Sequence, residues 1–173
     1  MTEGEKSFHV ELAMRAIGEY VSRRRIIEPS TDLPWELRQQ AGTFVSLKKF
    51  GQLRGCIGTI EPTQANVALE IVHNAISAAT RDPRFEPIVP EELPHLVCSV
   101  DVLEAPEPIN GMSELDPLRY GVIVECDSRR GLLLPNLEGV DTAEYQVEIA
   151  CRKAAIHLDD PFKLYRFEVK RYY

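Results

Sequence analysis

Apolar residues recur at helical spacing from residue 7 to 25, where Phe8, Leu12, Ala13, Ile17, Tyr20 and Val21 alternate with Glu11, Arg15 and Glu19. The spacing predicts a first helix with Ser7 as its N-cap. The turn-prone EPSTDLP follows, and Pro34 to Gln40 is expected to form a short helix ending near Gly42. From Thr43 to Lys49 the period changes to two, with Val45 and Leu47 on one face. Phe50-Gly51-Gln52 is short enough to turn this strand into a second one, Leu53 to Ile60. Asn66 to Thr80 is apolar around almost its whole circumference and rich in alanine, so a deeply buried helix is expected there. It should stop near Arg81, because Asp82 precedes Pro83 and is biased away from helical backbone.

The second half continues the pattern. Residues 95–103 read as a strand with Leu96, Cys98, Val100 and Val102 on an apolar face and Ser99 and Asp101 opposite. PEPINGMSELDP is expected to be loop. Strands are expected at Gly121–Cys126 and Leu132–Leu134, joined by a turn through Asp127 to Gly131. Thr142 can cap a helix running to about His157, with Tyr145, Ile149 and Ile156 on related faces and Glu148 and Arg152 as an i,i+4 pair. Lys163 to Lys170 alternates and closes the chain as one strand. The order of elements predicts an α+β fold in which helices pack on a mainly antiparallel sheet.

Composition narrows the function classes. At 173 residues the chain is the size of one domain and can bury a substantial core. Twenty basic against 27 acidic residues leave a net charge of −7, which opposes nucleic acid and anionic membranes as partners. The single dense basic run, Arg23-Arg24-Arg25, falls at the end of the first helix, where cations complement the helix dipole. No stretch approaches the ~20 apolar residues that span a bilayer, and the opening residues lack a signal-peptide layout. The mature protein is therefore expected to be the whole chain. Cys56, Cys98, Cys126 and Cys151 form no CxxC pair, and His9, His73, His95 and His157 stand apart, so neither motif suggests a zinc or dithiol site. Reduced thiols in a cytoplasm are the simplest account. Nothing in the sequence names a cofactor.

Candidate chemistry concentrates in LRGCIGT, Leu53 to Thr59. Gly55 and Gly58 weaken a strand for no reason that packing of the strand itself supplies, so something must approach this backbone closely. In an extended segment Arg54 and Cys56 share a face roughly 6.6 Å apart, where a guanidinium favours a thiolate. Cys56 is then a candidate nucleophile and Arg54 an anion receptor. Equally, Cys56 is a small core residue and the glycines serve a bulge or close helix-on-sheet packing. Arg54 must in either case reach solvent, a carboxylate or a ligand. In DPRF, Asp82 and Arg84 either pair with each other above a core-plugging Phe85 or face a ligand. Lys153 and His157, an i,i+4 pair on the last helix, are reserve candidates.

GTFVSLKKFGQLRGCIGT at Gly42–Thr59 resembles the signature of the AMMECR-type domain family. So do Ala78-Ala79 with Asp82-Pro83-Arg84-Phe85, Glu92-Leu93, the VDVLEAPEPI and RGLLLPNLEGV runs, and CRKA at Cys151–Ala154. Asn136-Leu137 and Ala155 depart from the pattern. The likeness covers nearly the whole chain. It implies a single domain over 1–173 with two lobes of unequal size, the larger from both termini and the smaller from the middle, and a groove near the RGCIG strand. It also implies a bacterial or archaeal protein A-like member of the AmmeMemoRadiSam system, acting beside Memo-like and radical SAM proteins. Two functions follow as expectations. One is an enzyme acting on a small anionic or carbonyl-bearing substrate, with Cys56 catalytic and Arg54, Gly55, Gly58, Asp82 and Arg84 binding substrate. The other is a non-catalytic module that binds a ligand or partner through the same residues.

Overall fold

The computed structural model describes residues 6–173. The chain forms two compact units, one from residues up to Val102 together with Lys170–Tyr173, the other from Leu103–Val169. Each contains helix packed on antiparallel strands, as an α+β fold requires.

In the first unit, helix α1 spans Phe8–Arg23, and Ser7 caps it by accepting the Val10 N–H. Arg24 ends it in the left-handed conformation, while Arg23 and Arg25 both pair with Glu19. The short α2 is Trp35–Arg38. Strands β1 (Thr43–Lys49) and β2 (Gln52–Gly58) form the expected hairpin, followed by α3, Val67–Thr80, capped by the Asn66 side chain. β3 is Leu96–Leu103, and β8, the last strand of the chain, is Val169–Tyr172. The sheet order is β2-β1-β3-β8.

Helix α3 packs against β1 and β2 on one side and α1 on the other, which explains its nearly all-round burial. Val45, Leu47 and Val100 face this core together with Ile17, Ile71 and Ala75, all wholly buried. Glu70 lies in the same helix at 1% exposure. Its carboxylate accepts from Thr59 Oγ1, Thr63 Oγ1 and the amides of Thr63 and Gln64, so the buried charge is fully hydrogen-bonded.

The second unit carries a sheet of order β4-β7-β5-β6, from Glu107–Ile109, Lys163–Phe167, Gly121–Cys126 and Arg129–Leu133. Helix α4, Ala143–Lys153, packs on β5 and β6 under a Thr142 cap.

Several sequence expectations change here. Part of the expected 106–117 loop pairs as β4, because Glu107 and Arg166 stand opposite each other and bond across the strands. The expected Asp127–Gly131 turn is shorter, with Asp127 in the left-handed region and β6 beginning at Arg129. α4 ends at Lys153 rather than near His157 because Ala155 takes positive φ; its buried residues are Gln146, Val147, Ala150 and Cys151, with Ile149 packed at the edge of the same core and Tyr145 exposed. The closing strand is two strands, β7 and β8, in different sheets. Residues 90–94, unassigned from sequence, and His95, expected to open the next strand, form a 3-10 helix, Pro90–His95.

Candidate functional site

The β1–β2 register brings Ser46 opposite both Cys56 and Ser99, and Phe44 opposite both Gly58 and Asp101. Since Val45 and Leu47 face the helices, these alternate residues form the other face of the first sheet. Cys56 is half-buried there, with Sγ 3.1 Å from Ser46 Oγ. Its backbone N–H, at the outer edge of β2, donates to Asp82 Oδ2 at 3.0 Å.

Asp82 is the pin of this arrangement. Only 5% exposed, it accepts from the Arg84 amide and Nε through Oδ1 and from Arg84 Nη2 through Oδ2. The Arg84 fork holds its carboxyl well below the usual carboxylate range. Arg84 itself is 55% exposed along its side chain, stacks 5.4 Å from the Phe85 ring, and leaves Nη1 without a protein partner among the described residues. Phe85 is half-buried beneath it rather than plugged into the core. The Asp82–Arg84 pair expected from sequence therefore forms, and it also fastens the loop to the strand.

Arg54 stands apart from Cys56. Leu47 opposes Gly55 and Lys48 opposes Leu53, so Arg54 is the extra residue of a β-bulge and the alternation that would align it with Cys56 is interrupted. Its guanidinium forks onto Glu92, Nε to Oε1 at 2.9 Å and Nη2 to Oε2 at 3.0 Å, and Nη1 donates to the Glu86 carbonyl. Lys49 joins the same Glu92 carboxylate at 2.9 Å. Arg54, with its side chain 17% exposed, thus reaches a carboxylate, one of the three outcomes the sequence allowed. Glu92 was not legible as a site residue, because only the 3-10 turn brings it beneath the bulge.

The two glycines are approached by protein. A Cβ on Gly55 would lie 2.2 Å from the Ala78 carbonyl oxygen of α3, and one on Gly58 would lie 2.3 Å from the Phe44 ring and 2.4 Å from the Thr43 carbonyl oxygen. Close helix-on-sheet contact accounts for the first and cross-strand aromatic cover for the second.

Burial pushes the Cys56 thiol up, outweighing the Ser46 hydrogen bond and the Arg84 charge that pull it down; Asp101 and Asp82 add to the rise. Asp101, absent from the sequence candidates, is buried and forked onto Arg171, Oδ1 at 2.7 Å and Oδ2 at 2.9 Å. Lys153, the reserve candidate, donates to the Leu132 carbonyl, and His157 falls beyond the helix. The described residues contain no group of three or more His, Cys, Asp or Glu placed to hold a metal ion, and none of their helices is long and apolar enough to cross a membrane.

This geometry surrounds the residues that carry the sequence likeness, and the AMMECR1 family model matches residues 10–172. The chain belongs to the AMMECR1 family. A Thermotoga maritima relative is 54% identical over 167 residues, covering 95% of this chain and 96% of that protein. A Clostridium acetobutylicum relative is 48% identical over 97% of this chain, which spans only 36% of that longer protein. The crystal structure of an uncharacterized Pyrococcus horikoshii protein matches the fold with a TM-score of 0.89 at 37% identity, covering 95% of this chain and 88% of that one. The α+β fold is thus shared with that solved structure.

Proposed function

We propose that this AMMECR1 protein is a binding module whose sheet face beside Gly55–Gly58 holds a small anionic ligand, with Arg84 as its receptor. One observation carries this reading: Asp82 fixes Arg84 through Nε and Nη2, leaves Nη1 open among the described residues, and by the same Oδ2 holds the backbone N–H of the half-buried Cys56. A preoriented guanidinium edge is a ready partner for a carboxylate or phosphate. In this reading Cys56 and Ser46 line the floor beside Asp82, while Gly55 lets α3 close on the opposite face of the strand. Arg54 supports the strand through Glu92. Memo-like and radical SAM proteins, implied by the family resemblance, are the partners this module would serve.

Calorimetric titration with inorganic phosphate and with a dicarboxylate tests it. Saturable binding should disappear in Arg84→Met, weaken in Arg84→Lys and survive in Cys56→Ser; binding indifferent to Arg84→Met would overturn the proposal. The enzyme reading, with Cys56 as nucleophile, draws on the Arg84 charge beside the thiol. It requires iodoacetamide alkylation of Cys56 to titrate at or below about pH 8. A rate still climbing above that range leaves the thiol as lining.

A further inference from the structure

The hairpin joining β1 to β2 turns through two residues, Phe50 at φ 51° and Gly51 at φ 78°, with Lys49 opposite Gln52. Two positive φ values in a two-residue loop define a turn that favours Asn, Asp or Gly at its first position. A phenylalanine there is an outlier, since its side chain works against the left-handed backbone. Packing does not repay the strain, because Phe50 is 75% exposed. Strain that neither the turn nor the core explains is the kind of feature that function retains.

The surroundings are consistent with a contact surface. Lys48 stands between Leu53 on β2 and Val97 on β3, its Cα partners on either side. Both are large apolar residues left open, 41% and 65% exposed. The Phe50 ring lies 5.1 Å from the ring of His95, two residues before Val97. Single exposed apolar residues are ordinary, but three gathered around one hairpin end are not. Lys49 spends its charge on Glu92, whereas Lys48 makes no ion pair among the described residues. A free cation thus sits between two aliphatic side chains beside an exposed aromatic ring, on a chain whose net charge is −7.

We infer that this strip, Phe50, Leu53, Lys48 and Val97, docks an extended segment of a partner protein in which an acidic residue is flanked by aliphatic ones. The acid would meet Lys48, and the flanking side chains would cover Leu53, Val97 and Phe50. The segment lies on the face of the sheet rather than extending its edge at Cys56, whose outward N–H is taken by Asp82. The inference is independent of the Arg84 reading.

The test is an NMR titration of the full 15N-labelled chain with a short peptide alternating leucine and aspartate, and with the same peptide carrying lysine for aspartate. The acidic peptide should shift the amides of Lys48, Leu53 and Val97 saturably, and the basic one should not. Phe50→Asn suits the left-handed turn and should raise the melting temperature while weakening the acidic peptide about tenfold or more, the loss typical of a removed aromatic anchor. Lys48→Glu should invert the preference between peptides, and Arg84→Met should leave both results unchanged. Equal binding of the two peptides, or Phe50→Asn that binds as well as the parent, would overturn the inference. So would a concentration-dependent dimer abolished by Phe50→Asn, which assigns the strip to a second copy, or binding confined to anionic lipid vesicles.

Discussion

Asp82 and Cys56 are joined by one hydrogen bond, the Cys56 N–H to Asp82 Oδ2 at 3.0 Å, and through it the loop after α3 is held to the outermost strand of the first sheet. The same carboxylate orients Arg84. Asp82→Ala leaves a strand-edge amide and a guanidinium without their shared acceptor. Urea unfolding should show a loss of about 1–3 kcal/mol, the cost of an unsatisfied half-buried amide, while the half-exposed Arg84 returns to water. A loss below about 0.5 kcal/mol would show that the loop is held by other contacts.

Gly55→Ala and Gly58→Ala should each destabilise by about 2–4 kcal/mol, because the new methyl group meets backbone oxygen at 2.2 and 2.4 Å respectively. Thermal unfolding measures both. Gly55→Ala is expected to be the worse, since at Gly55 only helix backbone stands in the way, whereas at Gly58 the Phe44 ring can turn aside in part.

Glu92 gives a signature in acid. The Arg54 fork, and after it Lys49, holds its carboxyl at about 2 against an ordinary 4.5. The unfolded chain therefore binds the proton first, so stability contributed by this cluster is complete above pH 4.5 and is lost as pH falls toward 2. Denaturant melts across that window should be flatter for Glu92→Gln than for the parent. The difference should be on the order of 1–2 kcal/mol.

His9 produces a second dependence at higher pH. Its ring stacks on Tyr172 at 3.6 Å between centroids, and burial, aided by the Lys170 charge, lowers its pKa from 6.5 to about 4. The neutral ring is the folded form, so this contribution is full above pH 6.5 and declines as pH falls toward 4. His9→Phe keeps the stack and removes the proton site. Between pH 6.5 and 4.5, where Glu92 does not titrate appreciably, its stability should hold while the parent loses on the order of 1 kcal/mol.

Much of the fold was legible because local physics specified it. Ser7 and Thr142 each cap the helix expected after them, and β1 matches its alternating segment from Thr43 to Lys49. The misses share a cause. β4 is three residues long and exists through its pairing with β7, and the break between β7 and β8 falls inside a segment whose alternation runs on without a signal. In the candidate site, the Asp82–Arg84 pair could be anticipated at two residues' separation. Glu92 and Asp101 could not be placed, because their partners lie 38 and 70 residues away.

The family, the caps at Ser7 and Thr142, the strand periods and the concentration of unusual residues in Leu53–Thr59 and Asp82–Phe85 could all be read along the chain, since each is written in neighbouring side chains. Which partners those residues meet came from contacts far apart in the chain. The bulge turned Arg54 to Glu92, α3 filled the space left by Gly55, and Asp82 fixed Arg84 with one edge open. Which cation remains free depends on which carboxylate the fold brings within about 3 Å of it, and chain spacing does not encode that distance.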